Sequence, residues 1–344
     1  MYSLFRRALF ATPPEVAHEL ALDGLKFGSA FGLNSALYSQ AEPLPVTVLG
    51  MEFPNPVGLA AGLDKNGDYI DALGSLGFGF IEVGTVTPRP QPGNEKPRVF
   101  RLPRAQAMIN RLGFNNKGVD HLVRQARRRK YRGILGINIG KNASTPIENA
   151  VDDYRQCLEK VYEHADYVTV NISSPNTAGL RDLQSEDTLD SFLATLLERR
   201  DQLANNSGSL VPMLIKVAPD LDSDAVSAMA GIFNNRGIDG LIATNTTVSR
   251  DAVKGMEHAS EDGGLSGAPL LELANNTLAA FRNALDSSIP IIGVGGICTP
   301  QDAATKFEMG ASLVQFYTGF VYAGPDLISG SVNVLRPLVE GSTA

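Results

Sequence analysis

Lys65 and Lys216 each follow a short apolar run closely, and a third run, Tyr167-Val168-Thr169-Val170, opens into Asn171-Ile172-Ser173-Ser174-Pro175-Asn176-Thr177. A lysine at the end of a buried strand is not placed for solvation. It faces an anion, or burial lowers its pKa and the free amine attacks a carbonyl as a Schiff-base nucleophile. Ser174 has no adjacent histidine and no Gly-x-Ser-x-Gly elbow, which argues against a hydrolase triad. As a catalytic group it would accept a proton, and an unassisted hydroxyl needs activation by neighbours and by exclusion of water to do so. Asn110, Asn171, Asn176 and Asn245 each offer an acceptor and two donors, a set suited to a ligand rich in amide groups. Gly293, Gly295 and Gly296, with the turn Tyr317-Thr318-Gly319, let backbone N–H groups approach a phosphate; Gly263-Gly264-Leu265-Ser266-Gly267 reads as a further glycine loop.

These residues need a scaffold that gathers strand ends. From residue 45 onward, apolar runs ending in glycine or polar residues alternate with helical segments. The runs begin at Val57, Phe80, Ile134, Tyr167, Met213, Leu241, Ile291 and Leu313, after a small hairpin over 46–53. Eight strand–helix units predict an α/β chain closed into a (β/α)8 TIM barrel, its chemistry at the C-terminal rim and its phosphate after the seventh and eighth strands. An open doubly wound sheet is the rival, weakened by the lack of Gly-x-Gly-x-x-Gly after the first strand.

The N-terminal 40 residues differ. Leu4, Phe5, Ala8 and Leu9 share one face of a short helix, with Arg6 and Arg7 off it. Thr12 is expected to cap a second helix, with Pro13 at its first position and Glu15 closing a capping box. On that helix Glu15, Glu19, Asp23 and Lys26 form a narrow charged stripe, while Val16, Ala17, Leu20, Ala21, Leu25 and Phe27 spread over a wider arc. One part of that arc can pack on the body while another meets lipid or an apolar ligand; alternatively the pair simply packs on the body. Phe31, Leu33, Leu37 and Tyr38 extend the apolar character up to a linker at Pro43 and Pro45.

Composition narrows the partners. A formal net charge of −7 over 344 residues argues against nucleic acid, and the cluster Arg124, Arg127, Arg128, Arg129 and Lys130 reads as a solvated helix end. Cys157 and Cys298 stand alone among only 4 histidines, so no disulfide framework and no metal site are expected. No run approaches the roughly 20 apolar residues of a membrane-spanning helix, so any membrane contact is lateral.

The motifs Ala61-Gly62-Leu63-Asp64-Lys65, Asn110-Arg111-Leu112-Gly113-Phe114-Asn115-Asn116, Asn171 to Thr177, Ala243-Thr244-Asn245-Thr246-Thr247 and Gly293-Val294-Gly295-Gly296-Ile297 together resemble the dihydroorotate dehydrogenase family. Ser174 and the helical N-terminus resemble its class 2, quinone-dependent and membrane-associated branch; the soluble class 1 branch has cysteine at that position and lacks the extension. The resemblance implies oxidation of dihydroorotate to orotate in pyrimidine synthesis, with FMN as hydride acceptor and a membrane quinone as final acceptor. It implies that Ala61, Gly62, Leu63, Asp64, Lys65, Thr85, Asn138, Asn171, Lys216, Thr244, Gly267, Gly296, Tyr317 and Thr318 hold FMN. Lys65, Asn110, Arg111, Leu112, Gly113, Phe114, Asn171, Asn176, Asn245 and Thr246 would hold the substrate, with Ser174 as base and Thr177 and Phe114 shaping a proton exit. Residues 1–42 would form the membrane- and quinone-docking segment, with His18 and Arg101 as candidate quinone contacts, and residues 43–344 the catalytic barrel. A peripheral monomer on the cytoplasmic side of the cell membrane is the expected setting. A class 1 dehydrogenase using a soluble acceptor, a Schiff-base lyase and a phosphate-binding barrel without activity are the remaining alternatives.

Overall fold

The computed structural model describes residues 2–32 and 42–341. The apolar positions Leu33, Leu37 and Tyr38 lie outside the described residues. Helices α1 (Tyr2–Phe10) and α2 (Pro14–Ala30) precede a hairpin of β1 (Val46–Val48) and β2 (Met51–Phe53). The chain then alternates through β3 (Val57–Leu59), α3 (Ile70–Gly74), β4 (Phe80–Val86), β5 (Val99–Leu102), β6 (Ala107–Asn110), α4 (Val119–Arg128), β7 (Ile134–Ile139), α5 (Ala150–Val161) and β8 (Tyr167–Asn171). It continues with α6 (Glu186–Ser207), β9 (Met213–Val217), α7 (Ser223–Arg236), β10 (Gly240–Ala243), β11 (Gly264–Gly267), α8 (Leu271–Ala284), β12 (Ile291–Val294), α9 (Pro300–Glu308) and β13 (Leu313–Phe316). Helices α10 (Thr318–Ala323) and α11 (Asp326–Gly341) end it.

Strands β3, β4, β7, β8, β9, β10, β12 and β13 close into one parallel barrel, and every run expected to be a barrel strand is one. They read as near-continuous apolar runs because both faces are covered, by helices outside and by the packed barrel interior within. Inside, Phe80, Tyr167, Leu214, Ile242, Ile292 and Leu313 pack together, and Phe53 of the hairpin closes the base with its ring 5.1 Å from that of Phe80. Gly58 and Gly136 create the room: a Cβ on Gly58 would sit 2.3 Å from the Phe80 ring, and one on Gly136 2.2 Å from the Tyr167 ring. Such overlap cannot be relieved in a close-packed interior without moving the ring.

Three readings of the sequence are corrected. Gly263 to Gly267 is no loop: Gly264–Gly267 is β11, which pairs antiparallel with β6, which pairs in turn with β5, in a second sheet. Asn110 therefore ends a strand of that sheet rather than a barrel strand. Thr12 does not cap the second helix either. Its hydroxyl donates to the Leu9 carbonyl at 2.8 Å and finishes α1, while Pro13 holds the N-cap position of α2 with no side-chain bond. Glu15 is drawn instead to Arg98, 3.0 Å away.

The N-terminal helices lie on the barrel rather than apart from it. The Tyr2 hydroxyl donates to the Val321 carbonyl at 2.6 Å, and the Phe10 ring meets Tyr322 edge-on at 5.3 Å, so α1 sits on α10. Arg101 donates to the Thr12 carbonyl at 2.9 Å and stacks on Phe10, clamping the bend between the helices. On α2 only Ala17 and Leu22 are buried, while Leu4, Phe5, Val16, Leu20, Phe27 and Phe31 are exposed. No helix among the described residues is long and apolar enough to cross a membrane.

Candidate active site

The C-terminal ends of the barrel strands and the face of the β5–β6–β11 sheet line a partly open cleft. Ser266 accepts a hydrogen bond from the Thr318 hydroxyl at 2.8 Å, and Tyr322 donates to the Ala107 carbonyl at 2.8 Å, so the small sheet is fixed to the β13–α10 turn. Gly295 and Gly296 line the cleft at positive φ values of 103° and 85°, and a Cβ on Gly296 would lie 2.2 Å from Leu271 Cα, so glycine lets this turn approach the start of α8. Among the described residues the Gly296 amide has no acceptor.

Lys216 points inward from β9, beside Asn171 of β8 in the strand register, and is only 5% exposed. Among the described residues its ammonium has no hydrogen-bond partner. Burial lowers its pKa, and Glu82 acts in the opposite sense. An ammonium withdrawn from water without a partner costs several kcal/mol, so its position calls for an acceptor or partial negative charge in the cleft. Lys65 enters from the β3 loop and donates to the Gly62 carbonyl at 3.0 Å; burial and then Arg98 bring its pKa down to about 8.

Polar groups on the opposite wall are tied into one chain. Asn245 donates to Ser173 Oγ at 3.0 Å and to Asn171 Oδ1 at 3.3 Å. Asn171 donates to Thr85 Oγ1 at 2.9 Å, and Thr85 donates to Asn138 Oδ1 at 2.6 Å. Asn176 reaches Asn110 Oδ1 at 3.2 Å, joining the Ser174 loop to the small sheet. Ser174 is 6% exposed, and its Oγ accepts only a 3.3 Å bond from the Asn176 amide, which leaves a second lone pair free to take a proton.

A partnerless cation, a glycine-lined wall and a row of amides are the donor set for a flat heterocycle carrying an anionic tail. The family profile for dihydroorotate dehydrogenase matches residues 43–336. A dihydroorotate dehydrogenase (quinone) of Cellvibrio japonicus is 55% identical over 341 residues, 99% of this chain and 100% of that protein. One from Pseudomonas aeruginosa strain UCBPP-PA14 is 56% identical over 98% of this chain and 99% of its own length. Among solved structures, a DHODH from Eimeria tenella in complex with ferulenol superposes with a TM-score of 0.87 at 36% identity, covering 96% of this chain and 93% of that one. This chain belongs to the dihydroorotate dehydrogenase family. The family is flavin-dependent, and the residues at the cleft fit a flavin by the donor set just described.

Of the residues that the family motifs single out, Ala61, Gly62, Lys65, Thr85, Asn110, Leu112, Gly113, Phe114, Asn171, Ser174, Asn176, Lys216, Thr244, Asn245, Thr246, Gly267, Gly296, Tyr317 and Thr318 line the cleft. Four do not. Leu63 is buried in the core, and Asn138 stands behind Thr85. The Asp64 carboxylate accepts from the backbone amides of Asn66, Asp68 and Tyr69, which shapes the turn into α3. Arg111 turns outward to Glu261 at 2.7 Å and stacks on Phe100.

Two groups were missed. Val99, Met108 and Ser266 wall the cleft from the small sheet, and the alternating Val99-Phe100-Arg101-Leu102 was the available signal for it. Arg181 lies outside every motif, yet its guanidinium donates to the Ser173 carbonyl at 3.0 Å, to Asp220 at 2.8 Å and to the Thr246 carbonyl at 2.9 Å. Those three bonds lock the Ser174 loop to the loop after β10. Hydrogen bonds to a charged group contribute about 1.5–3 kcal/mol each. Arg181→Ala should therefore lower kcat at least about tenfold, and Arg181→Lys, lacking the planar fork, should recover only part of the loss. Steady-state turnover checks this; wild-type turnover in Arg181→Ala would show that the loop is held by other contacts.

Proposed function

We propose that this chain oxidises dihydroorotate to orotate, with FMN as hydride acceptor and a quinone as final electron acceptor, in pyrimidine synthesis. The observation that carries the reading is the convergence of the partnerless Lys216, the free Ser174 hydroxyl and the asparagine set on one cleft. FMN supplies the site that receives a hydride from the substrate's C6. The glycine wall at Gly296, with Tyr317 and Thr318, would hold its phosphate, and Gly62, Thr85, Asn171, Thr244 and Gly267 would border its ring. Lys216 provides a fixed positive charge for the negative charge gained on reduction, an electrostatic role that needs no movement during the reaction.

Lys65 pairs with the substrate carboxylate. Asn110, Asn171, Asn176, Asn245 and Thr246 present donors and acceptors to the ring amides, and fix the face from which Ser174 takes the C5 proton. Burial of Ser174 excludes water from that transfer. Thr177, itself buried, and Phe114, which lines the cleft, are the candidates for the proton's route out. Phe114 sits at φ 52°, and its carbonyl accepts from Asn116 at 2.7 Å and from Gln91 at 3.2 Å, so its unusual backbone is held from behind.

The second half-reaction requires an apolar approach, because a lipid quinone and dihydroorotate do not share one polar pocket. Residues 1–42 offer it: the exposed Leu4, Phe5, Val16, Leu20, Phe27 and Phe31 form an outward apolar surface over helices docked at the cleft edge. Such a surface seats in a bilayer from one side. His18 is held neutral by burial and then by Lys65, which push its pKa down to about 4, so its ring can serve as a hydrogen-bonding group for a quinone head. Arg101 lies at the bend between the helices, where it can reach the same head group.

Three outcomes are expected. Purified protein is yellow and bleaches on anaerobic addition of dihydroorotate, while Ser174→Ala keeps FMN but reduces it about 10² times more slowly or worse. Stopped-flow absorbance measures this, and parental speed in the variant would assign the proton to another group. Since Lys65 is charged below about pH 8 and loses its proton above it, KM for dihydroorotate should rise above pH 8. A KM flat to pH 10 would remove Lys65 from carboxylate binding. Leu20→Glu combined with Phe27→Glu should abolish recovery on phospholipid vesicles and slow quinone reduction, yet leave flavin reduction by dihydroorotate intact. Undiminished vesicle binding would place the lipid contact elsewhere.

A further inference from the structure

Arg98, the residue before β5, is buried at 6% exposure, and its guanidinium joins helix α2 to the cleft. On one side Nε and Nη2 donate to Glu15 Oε1, each at 3.0 Å. On the other, Nη1 donates to the Pro92 carbonyl at 2.7 Å and to the Asn94 carbonyl at 2.9 Å. A guanidinium this deep needs a counter-charge. Among the described residues Glu15 is the only carboxylate within ion-pair distance of Arg98. It comes from the first turn of α2, where the helix dipole also favours a negative charge.

The turn that Arg98 holds backs the part of the cleft assigned above to dihydroorotate. The Asn94 amide donates to the Leu112 carbonyl at 3.2 Å, and Asn94 Nδ2 donates to the Arg111 carbonyl at 2.9 Å and to the Asn176 carbonyl at 3.4 Å. Gly93 takes φ 76°, and a Cβ there would lie 2.2 Å from the Leu112 oxygen. A Cβ on Gly113 would lie 2.8 Å from the Asn94 carboxamide. The turn therefore presses on the stretch 110–113 and reaches the Ser174 loop; Asn110, Leu112, Gly113 and Asn176 all line the cleft. Farther along α2, the Tyr69 hydroxyl donates to Asp23 at 2.8 Å and Lys26 donates to the Asp68 carbonyl at 3.0 Å. Those bonds and the buried Ala17 and Leu22 anchor the helix independently of Glu15.

We propose that Glu15 and Arg98 are positioning residues for dihydroorotate: helix α2, exposed and apolar on its outer side, also supplies the charge that holds the 92–94 turn against the substrate wall. This rests on the functional reading above. Neither side chain lines the cleft, so both act through Asn94, on the stretch 110–113 and on Asn176. The helix thus serves the substrate half of the reaction as well as the acceptor half. Loosening the pair weakens dihydroorotate binding and leaves quinone reduction alone.

The test measures the two half-reactions separately, by stopped-flow absorbance on the intact chain. Glu15→Gln keeps the size of the side chain and removes its charge. The dihydroorotate concentration that gives half-maximal flavin reduction should rise about tenfold, the scale for losing one hydrogen bond to a charged group. Reoxidation of the reduced flavin by benzoquinone, and recovery on phospholipid vesicles, should stay parental. Glu15→Asp, which keeps the charge, should recover part of the loss. Asn94→Ala, at an exposed site and with the Glu15–Arg98 pair left intact, should raise the same half-saturation concentration. Adding Glu15→Gln to it should cost little more, because the two act along one path. Parental half-saturation in Glu15→Gln would overturn the proposal. So would a loss shared equally by both half-reactions, the mark of a general disturbance of the helix, and so would full additivity with Asn94→Ala, which separates Glu15 from the turn. Parent protein whose flavin dihydroorotate fails to bleach would instead refute the functional reading.

Discussion

A barrel of parallel strands has to fill its own interior, and any polar atom placed there must find a partner inside the barrel. Here the interior changes character along its axis. At the base, aromatic and aliphatic side chains are closed over by Phe53 and pack against Phe80, Tyr167 and Leu313. Above them a continuous hydrogen-bonded chain runs from Gln315 and Tyr167 through Glu82, Asn138, Thr85 and Asn171 to Asn245 and Ser173 at the cleft. Each link holds the orientation of the next, so the amides that face the ligand are set by groups well below the rim. Networks of this kind rigidify a core, and losing one member leaves others buried without partners, as Gln315 Oε1 and Thr169 Oγ1 already are.

The same constraint holds the cleft from two sides. The floor is built from barrel strands and their internal network. The roof is the β5–β6–β11 sheet, joined to the barrel by Thr318–Ser266 and Tyr322–Ala107, and the Ser174 loop is pinned by Arg181 across to Asp220 and Thr246. The N-terminal helices rest on α10 and β5 beside this roof, their apolar arc turned outward. The cleft and the exposed apolar face of the helices thus lie on adjacent but separate surfaces of one body.

Much of this is legible in the sequence. Parallel strands covered on both faces show themselves as apolar runs, and the glycine or polar residues that end them mark the rim, so all barrel strands were found. The motif at Ala61–Lys65 was read too evenly: a turn points its residues in different directions, and while Gly62 and Lys65 reach the cleft, Leu63 and Asp64 serve the core and α3. The small sheet was hidden because its partners are far apart in sequence and β11 is glycine-rich. A Cβ on Gly264 would lie 1.9 Å from Thr246 Oγ1, so close approach, not loop formation, is what selects glycine there. Thr12 failed as a cap because two helices competed for it, and the first took its hydroxyl. Arg181 and Glu82 act through tertiary contacts that no local spacing announces.

Lys216, buried with no hydrogen-bond partner among the described residues, is the group against which we propose the flavin ring lies. The most direct measurement is a crystal structure of the protein purified with its bound flavin. The account predicts Lys216 Nζ within hydrogen-bond distance of the isoalloxazine's pyrimidine edge, with the phosphate against Gly296 and Ser174 across the substrate site. A flavin bound away from Lys216, or a covalent adduct between Lys216 and a substrate carbon, would contradict it.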